Sequence, residues 1–89
     1  MNSQTTRTFR ADFRVLPAEI RHRAKRAYQL WKSNPQHPSL RFKRVNATKP
    51  YYSIRIGRDY RVVGRLIEDT VYWEFIGPHD KYMAFLKQL

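Results

Sequence analysis

The 89-residue sequence contains no cysteine. Neither a disulfide framework nor thiolate chemistry is open to it, and a reducing compartment suits it. Glycine occurs only at positions 57, 64 and 77, too sparsely for a glycine-rich phosphate loop. The seven acidic residues are scattered, so the clustered carboxylates that a metal-dependent nuclease needs are missing. His22, His37 and His79 show no ligand spacing with one another or with acids, so no metal site is expected. No serine or cysteine nucleophile motif occurs. No apolar run approaches membrane-span length, and the start MNSQTTRTFR lacks the apolar stretch of a signal peptide. The expectation is a cytoplasmic protein, away from membranes, that uses no cofactor.

What is present is positive charge and aromatic bulk. Eighteen Lys and Arg face seven Asp and Glu, a net +11. Such an imbalance points to a polyanionic partner: nucleic acid, a ribosome, an acidic protein or, with less support, a membrane surface. The basic residues run along the whole chain, which argues against a detachable basic arm. Two Trp, six Tyr and five Phe supply enough large rings for a small core, so the chain does not read as disordered. Its length fits a single domain over residues 1–89.

The first third has helical periodicity. Phe9, Phe13 and Leu16 form a short stretch, after a residue or two of edge strand. In PAEIRHRAKRAYQLWKSNP, Pro17 suits the first turn and Glu19 suits the positive end of the helix dipole. Ile20, Ala24, Ala27 and Trp31 make one apolar stripe, with Arg21, Arg23, Lys25, Arg26 and Lys32 around it. Asn34-Pro35 stops the helix.

The period then changes to two. LRFKRV alternates Leu40 and Phe42 against Arg41 and Lys43, and YYSIRIG alternates Tyr52, Ile54 and Ile56 against Ser53 and Arg55. DYRVVGRLI sets Tyr60, Val62 and Leu66 against Arg61, Val63 and Arg65, and TVYWEFIG sets Val71, Trp73 and Phe75 against Tyr72, Glu74 and Ile76. Gly77-Pro78 ends the last strand, and MAFL packs back as a terminal helical turn. The pattern predicts an α+β fold: a small, mostly antiparallel sheet of four or five strands, two N-terminal helices on one face and a short C-terminal helix. Arg41, Lys43, Arg55, Arg61 and Arg65 would then share the opposite face, either as a solvated surface or as a phosphate-binding one. Glu74 is expected to pair there with Arg61 or Arg65.

Metal-free catalysis on an anion is consistent with RNA cleavage, because RNA carries its own nucleophile, the 2′-hydroxyl. An enzyme need only move two protons and hold the phosphate. Histidine suits the first task, and a guanidinium suits the second by bidentate hydrogen bonding. General acid–base help contributes about 10²–10⁴ in rate, and a well-placed charge donor about 10²–10³. His79, just past the last strand and near Arg61 and Arg65, is the candidate. Taken alone, a histidine in a turn is more often structural.

YYSIRIGRDYRVVGRL…DTVYWEFIGPHDKY, preceded by HPSLRFKRV, resembles the bacterial RelE/ParE toxin superfamily, above all its HigB- and YafQ-like branch. The resemblance covers about residues 17–86 and is most specific at the YRV strand and the IGxHxxY ending. It implies a twisted sheet with two N-terminal helices. It also implies the toxin of a toxin–antitoxin pair, cleaving mRNA on the ribosome through a 2′,3′-cyclic phosphate and neutralised by a cognate antitoxin protein. By position it implies that Arg61 contacts the scissile phosphate, that His79 is the general acid or base, and that Tyr82 orients a nucleotide. Arg41, Lys43, Arg55, Arg65 and Lys81 are expected to bind RNA. Ser53 stands where RelE has a second lysine, which leaves the base open. His37 and Asp59 are loose counterparts of upstream residues in YafQ-like members, and Asp80 is expected to cap the last helix or orient His79. Two alternatives remain: a ParE-type DNA gyrase inhibitor without nuclease activity, and a degenerate member that only binds RNA or its antitoxin.

Overall fold

Thr6 begins the first helix by two hydrogen bonds. Its hydroxyl accepts from the Phe9 amide at 3.3 Å and donates to the Trp73 carbonyl at 2.8 Å, so one side chain caps a helix and ties it to the sheet. The computed structural model describes residues 1–89. In chain order it contains β1 (Asn2–Thr5), α1 (Arg7–Arg14), α2 (Ala18–Ser33), a 3₁₀ turn (Pro38–Leu40), β2 (Lys43–Arg44), β3 (Tyr51–Ile56), β4 (Tyr60–Ile67), β5 (Thr70–Pro78) and α3 (His79–Lys87). The five strands form one sheet in the order β1-β5-β4-β3-β2. β1 runs parallel to β5, and every other pair is antiparallel. This is the expected α+β architecture.

The helical stripe on α2 packs as its spacing predicts. Ala24 and Trp31 are buried, and Ile20 and Ala27 lie partly buried against the same core. Trp31 meets Trp73 edge-on at 5.1 Å and Phe42 at 5.8 Å, the geometry that aromatic quadrupoles favour. Ile54, Ile56, Val62, Val71 and Ile76 complete this core between sheet and helices.

The structure departs from the sequence expectations in four places. Only Lys43–Arg44 of LRFKRV is strand. Upstream, the 3₁₀ turn takes over, and Arg41 adopts a left-handed backbone (φ 46°) that removes it from the sheet face. The alternation of β5 also breaks. Val63 pairs with Phe75 and Gly64 with Trp73, so Glu74 is an extra residue in a β-bulge. The bulge shifts every later side chain by one face. Ile76 therefore joins the Trp73 core, and Phe75 turns to the other side. Third, that other side is not simply cationic. Tyr51, Val63, Phe75 and Tyr82 form a second buried cluster, which Phe85 and Leu86 of α3 cover. Finally, Gly77 and Pro78 do not end the ladder. They pair with Arg61 and Tyr60, and α3 starts at the next residue.

Candidate functional site

The hairpin turn between β3 and β4, residues 57–59, gathers the predicted groups. Arg55 and Arg61 are direct cross-strand partners, so both project from the α3 side of the sheet. Arg61 also faces Gly77 on β5, whose missing side chain leaves that flank open to the ring of Phe75, 2.8 Å from where a Cβ would stand. The guanidinium of Arg61 bends toward the turn, where Nη1 donates to the carbonyls of Arg58 (3.2 Å) and Tyr60 (2.9 Å). Its Nε and Nη2 make no hydrogen bond within the protein. Arg55 donates from Nε to the Gly57 carbonyl at 2.8 Å.

His79 is fixed to the same turn. Its backbone N–H donates to the Asp59 carbonyl at 2.8 Å, and the residue opens α3 directly after Pro78, which adopts extended backbone (ψ 165°). The imidazole is exposed and makes no side-chain hydrogen bond; its nearest ring is Tyr82, 5.9 Å between centroids. One turn thus positions two guanidinium groups and an imidazole at a single end of the sheet. Asp59 contributes its carbonyl rather than its carboxylate.

The other predicted residues divide. Lys43 pairs with Ser53, two positions from Arg55 on the same face, and is exposed. Arg65 is on that face too, but four residues along β4 from Arg61, about 13 Å at strand rise. It is also engaged. It donates to the Tyr51 hydroxyl from Nε at 3.0 Å and from Nη2, stands over the Tyr51 ring at 4.8 Å, and lies 3.8 Å from Glu74. Tyr51 in turn donates to Glu74 at 3.3 Å. The hydrogen bond to Tyr51, with the carboxylate of Glu74 nearby, raises the Arg65 guanidinium above its ordinary value. Arg65 therefore braces the second cluster, and Glu74 pairs with it rather than with Arg61.

Tyr82 is only 7% exposed, packed with Val63 and Phe75. A ring so covered cannot stack on a base; it supports the floor beneath His79. Lys81 lies close enough to Asp12 of α1 for its charge to be felt there. Asp80 sits in the first turn of α3, where Pro78 is the N-cap and no side chain caps the helix, so Asp80 neither caps nor holds His79. His37 accepts at Nδ1 from the Ser39 amide (3.2 Å) and meets its hydroxyl (2.8 Å), which makes it the cap of the 3₁₀ turn. Arg41 lines a separate depression with Arg26 and Arg55.

Sequence reading missed two features. The first is the place of Tyr51 between Arg65 and Glu74: the pairing of Glu74 with Arg61 or Arg65 was expected, but the Tyr51 link depends on cross-strand register, which alternation alone does not supply. Asp12 is the other. Burial pushes its carboxyl above the ordinary aspartate range, and the Ile76 backbone and Lys81 pull it back in part. No group of three His, Asp or Glu residues stands close enough to hold a metal ion. No helix is long and apolar enough to cross a membrane. A cavity of about 700 Å³ lies between α1, α2 and the sheet, with an apolar floor that includes Ile54, Val62 and Trp73. It contains none of these groups.

No curated protein sequence matches the chain. Solved structures do. A chain of the RelB–RelE antitoxin–toxin complex from Methanococcus jannaschii superposes with a TM-score of 0.73 at 24% identity, covering 91% of this chain and 95% of that one. YafQ from Escherichia coli gives 0.71 at 17% identity, covering 91% and 96%. A chain of a toxin–antitoxin complex from Mycobacterium tuberculosis gives 0.69 at 22%, covering 88% and 96%. These likenesses establish the shared sheet-and-helix fold. The family model for the ParE-like toxin domain matches residues 18–84, which span α2, the whole β2–β5 sheet and most of α3; on that match the chain belongs to the ParE-like toxin family of the RelE/ParE superfamily.

Proposed function

We propose that the protein is the toxin of a type II toxin–antitoxin pair, an endoribonuclease that cleaves mRNA on the ribosome and so inhibits translation. The observation that carries this reading is the convergence of Arg55, Arg61 and His79 on one hairpin turn. None of the three has a carboxylate partner; the ion pairs of the molecule involve Arg23 and Arg65 instead. In this reading the RNA 2′-oxygen loses its proton to a base and attacks the adjacent phosphorus. The bond to the 5′-oxygen breaks, that oxygen is protonated, and a 2′,3′-cyclic phosphate remains. His79 makes one of the two proton transfers. The free Nε and Nη2 of Arg61 take non-bridging oxygens and bind them more tightly as charge accumulates. Lys43 and Arg55 hold flanking phosphates. Lys81, two residues after His79 on α3, supplies a further cation for the RNA backbone. The residues require no cofactor for these steps.

The antitoxin is the expected protein partner, as in the antitoxin–toxin complexes that share this fold. The cytoplasm is the expected compartment, and residues 1–89 act as one domain.

The test is to induce the protein in bacteria and map mRNA 5′ ends. Growth arrest with new internal 5′ ends is expected. His79→Ala and Arg61→Ala should each reduce cleavage by about 10²-fold or more. Undiminished cleavage in His79→Ala would remove that residue from the mechanism. The gyrase-inhibitor reading draws on the ParE-like family match itself. It predicts arrest without cleavage, together with trapped gyrase–DNA complexes. A degenerate member would cause no arrest and would still bind its antitoxin.

A further inference from the structure

α1 packs on β5 and α2 packs on β3, and β4 lies between those two strands in the sheet. The cavity of about 700 Å³ stands over this middle strand, with Ile54, Val62 and Trp73 as its floor. Phe9 and Phe13, stacked at 6.2 Å, form the α1 wall. The α2 wall presents Ala24 and Ala27, and these short side chains leave the space unfilled. Protein interiors are normally close-packed. Apolar atoms that face a gap forgo dispersion contacts, which an apolar occupant would restore. The volume falls within the range of small-molecule sites, about 300–1,000 Å³.

The rim carries one sign of charge. Arg10, Arg14, Arg21 and Lys25 line the cavity, and no acidic residue does. None of the four has a carboxylate within 4.0 Å, since both ion pairs of the molecule lie elsewhere. Arg10 donates to the Thr5 carbonyl at 3.1 Å and to its hydroxyl at 3.0 Å, and Arg21 donates to the Leu16 carbonyl. Arg14 and Lys25 are exposed and make no side-chain hydrogen bond within the protein. The two hydroxyls of the lining are engaged: Thr5 accepts from Arg10, and Tyr28 bonds Ser3 at 2.6 Å. An occupant thus meets cations at the rim and no free hydroxyl inside. A nucleotide fits poorly, because the donors and acceptors of its base would be buried unpaired. An apolar chain with one anionic head fits both parts.

We propose that this cavity binds a free single-chain carboxylic acid, its chain against the Trp73 floor and its carboxylate held by Arg14 and Lys25. A single chain, rather than a bilayer surface, matches a recess enclosed by two helices and a sheet. The site is separate from the hairpin turn, since neither His79 nor Arg61 lines it.

The test titrates the intact protein with octanoate, decanoate and dodecanoate at concentrations where each acid is monomeric, in about 0.15 M salt to screen distant charges. Tryptophan emission reports on the floor, which Trp73 forms with Trp31 as its edge neighbour, and calorimetry gives the stoichiometry. One acid per protein is expected, with Kd falling about fourfold for each added methylene until the cavity is full. Decanol lacks the charge and should bind about tenfold more weakly than decanoate. Arg14→Gln/Lys25→Gln should weaken decanoate about tenfold and leave decanol within about twofold. Lys49→Gln/Lys87→Gln removes the same charge from exposed positions outside the cavity and should change neither by more than about twofold. Ala27→Leu fills the α2 wall. It should keep or raise the thermal midpoint of the free protein and weaken decanoate and decanol alike, by about tenfold. Several acids per protein, or equal losses from the two charge pairs, would overturn the proposal, because surface charge alone would then hold the acid. A Kd indifferent to chain length would do the same. So would a protein that takes an acidic amphipathic peptide or phosphatidylglycerol vesicles while none of the free acids binds. No readout involves RNA, so this proposal and the ribonuclease reading stand or fall separately.

Discussion

At position 64, a single missing methyl group allows the two-sided packing of the sheet. A Cβ on Gly64 would stand 2.6 Å from Cε3 of Trp73 and 2.6 Å from Cγ1 of Val71. Both neighbours are core, Trp73 in edge contact with Trp31 and Val71 fully buried. Gly64→Ala is expected to cost about 1–3 kcal/mol by overpacking, read as a lowered urea midpoint at constant m-value. An unchanged midpoint would show that the indole shifts freely. Asp12 yields a pH prediction. Its folded pKa lies above the ordinary 3.8, chiefly through burial. Between the two values the native state binds more protons than the unfolded chain, so this residue's contribution to stability falls as pH rises through that window. Asp12→Asn keeps an acceptor and cannot ionise. The variant should therefore gain on wild type as pH rises through the acid range above 3.8, and the gap should level off once the carboxyl is ionised in both the folded and the unfolded chain. Thermal midpoints across that range check the sign; a gap that closes with rising pH would refute the assignment.

At the scale of elements, the helices were the most legible part. The four-residue spacing of Ile20, Ala24 and Trp31's stripe describes one face, and one face is what α2 buries. The strands were legible in position but not in facing. Alternation through TVYWEFIG assumes a straight ladder, and one extra residue at Glu74 reverses every later side chain. Phe75 and Ile76 are both large and apolar, so hydrophobicity cannot say which one faces the helices. LRFKRV failed for a different reason. Its basic and apolar residues alternate, yet the segment before it is held in a 3₁₀ turn by a histidine cap that strand periodicity does not detect. α1 shows how the exposed edge of β5 is managed beyond the end of β1. Thr6 bonds the Trp73 carbonyl, and Thr8 bonds the Glu74 carbonyl at 3.1 Å, so side chains of a helix occupy edge groups that another strand would otherwise seek. Thr6→Ala removes both the cap and the edge contact and should cost about 1–2 kcal/mol. Hydrogen exchange would show the effect first at the amides of α1 and at the β5 residues past Trp73. Protection that is lost uniformly instead would mean that α1 and the sheet unfold as one unit.

For the whole molecule, the candidate site was legible as chemistry and only partly as geometry. His79 and Arg61 could be singled out because their side-chain types suit proton transfer and phosphate binding. That a backbone bond to Asp59 would hold His79 on the same turn as Arg61 depends on register and could not be read in advance. What the composition did convey is the net charge of +11, and the structure leaves it largely uncompensated. Only two of the eighteen Lys and Arg residues have a carboxylate within 4.0 Å. Such a domain repels itself in the native state, since folding draws the cations closer than the unfolded chain does. The molecule measures 33 × 30 × 24 Å, and the Debye length is about 30 Å at 0.01 M salt and about 10 Å at 0.1 M. Repulsion across the whole body is therefore present at the lower concentration and mostly screened at the higher one. Fold stability should rise with added salt, with most of the gain below about 0.1 M. RNA affinity should respond in the opposite direction and without levelling off, because counterion release gives a log-linear loss through the same range and beyond. Thermal midpoints and RNA binding measured in one salt series would separate the two effects. Parallel responses, with stability and affinity both falling, would mean that the cations are held by attractive contacts within the fold and are not reserved for a polyanion.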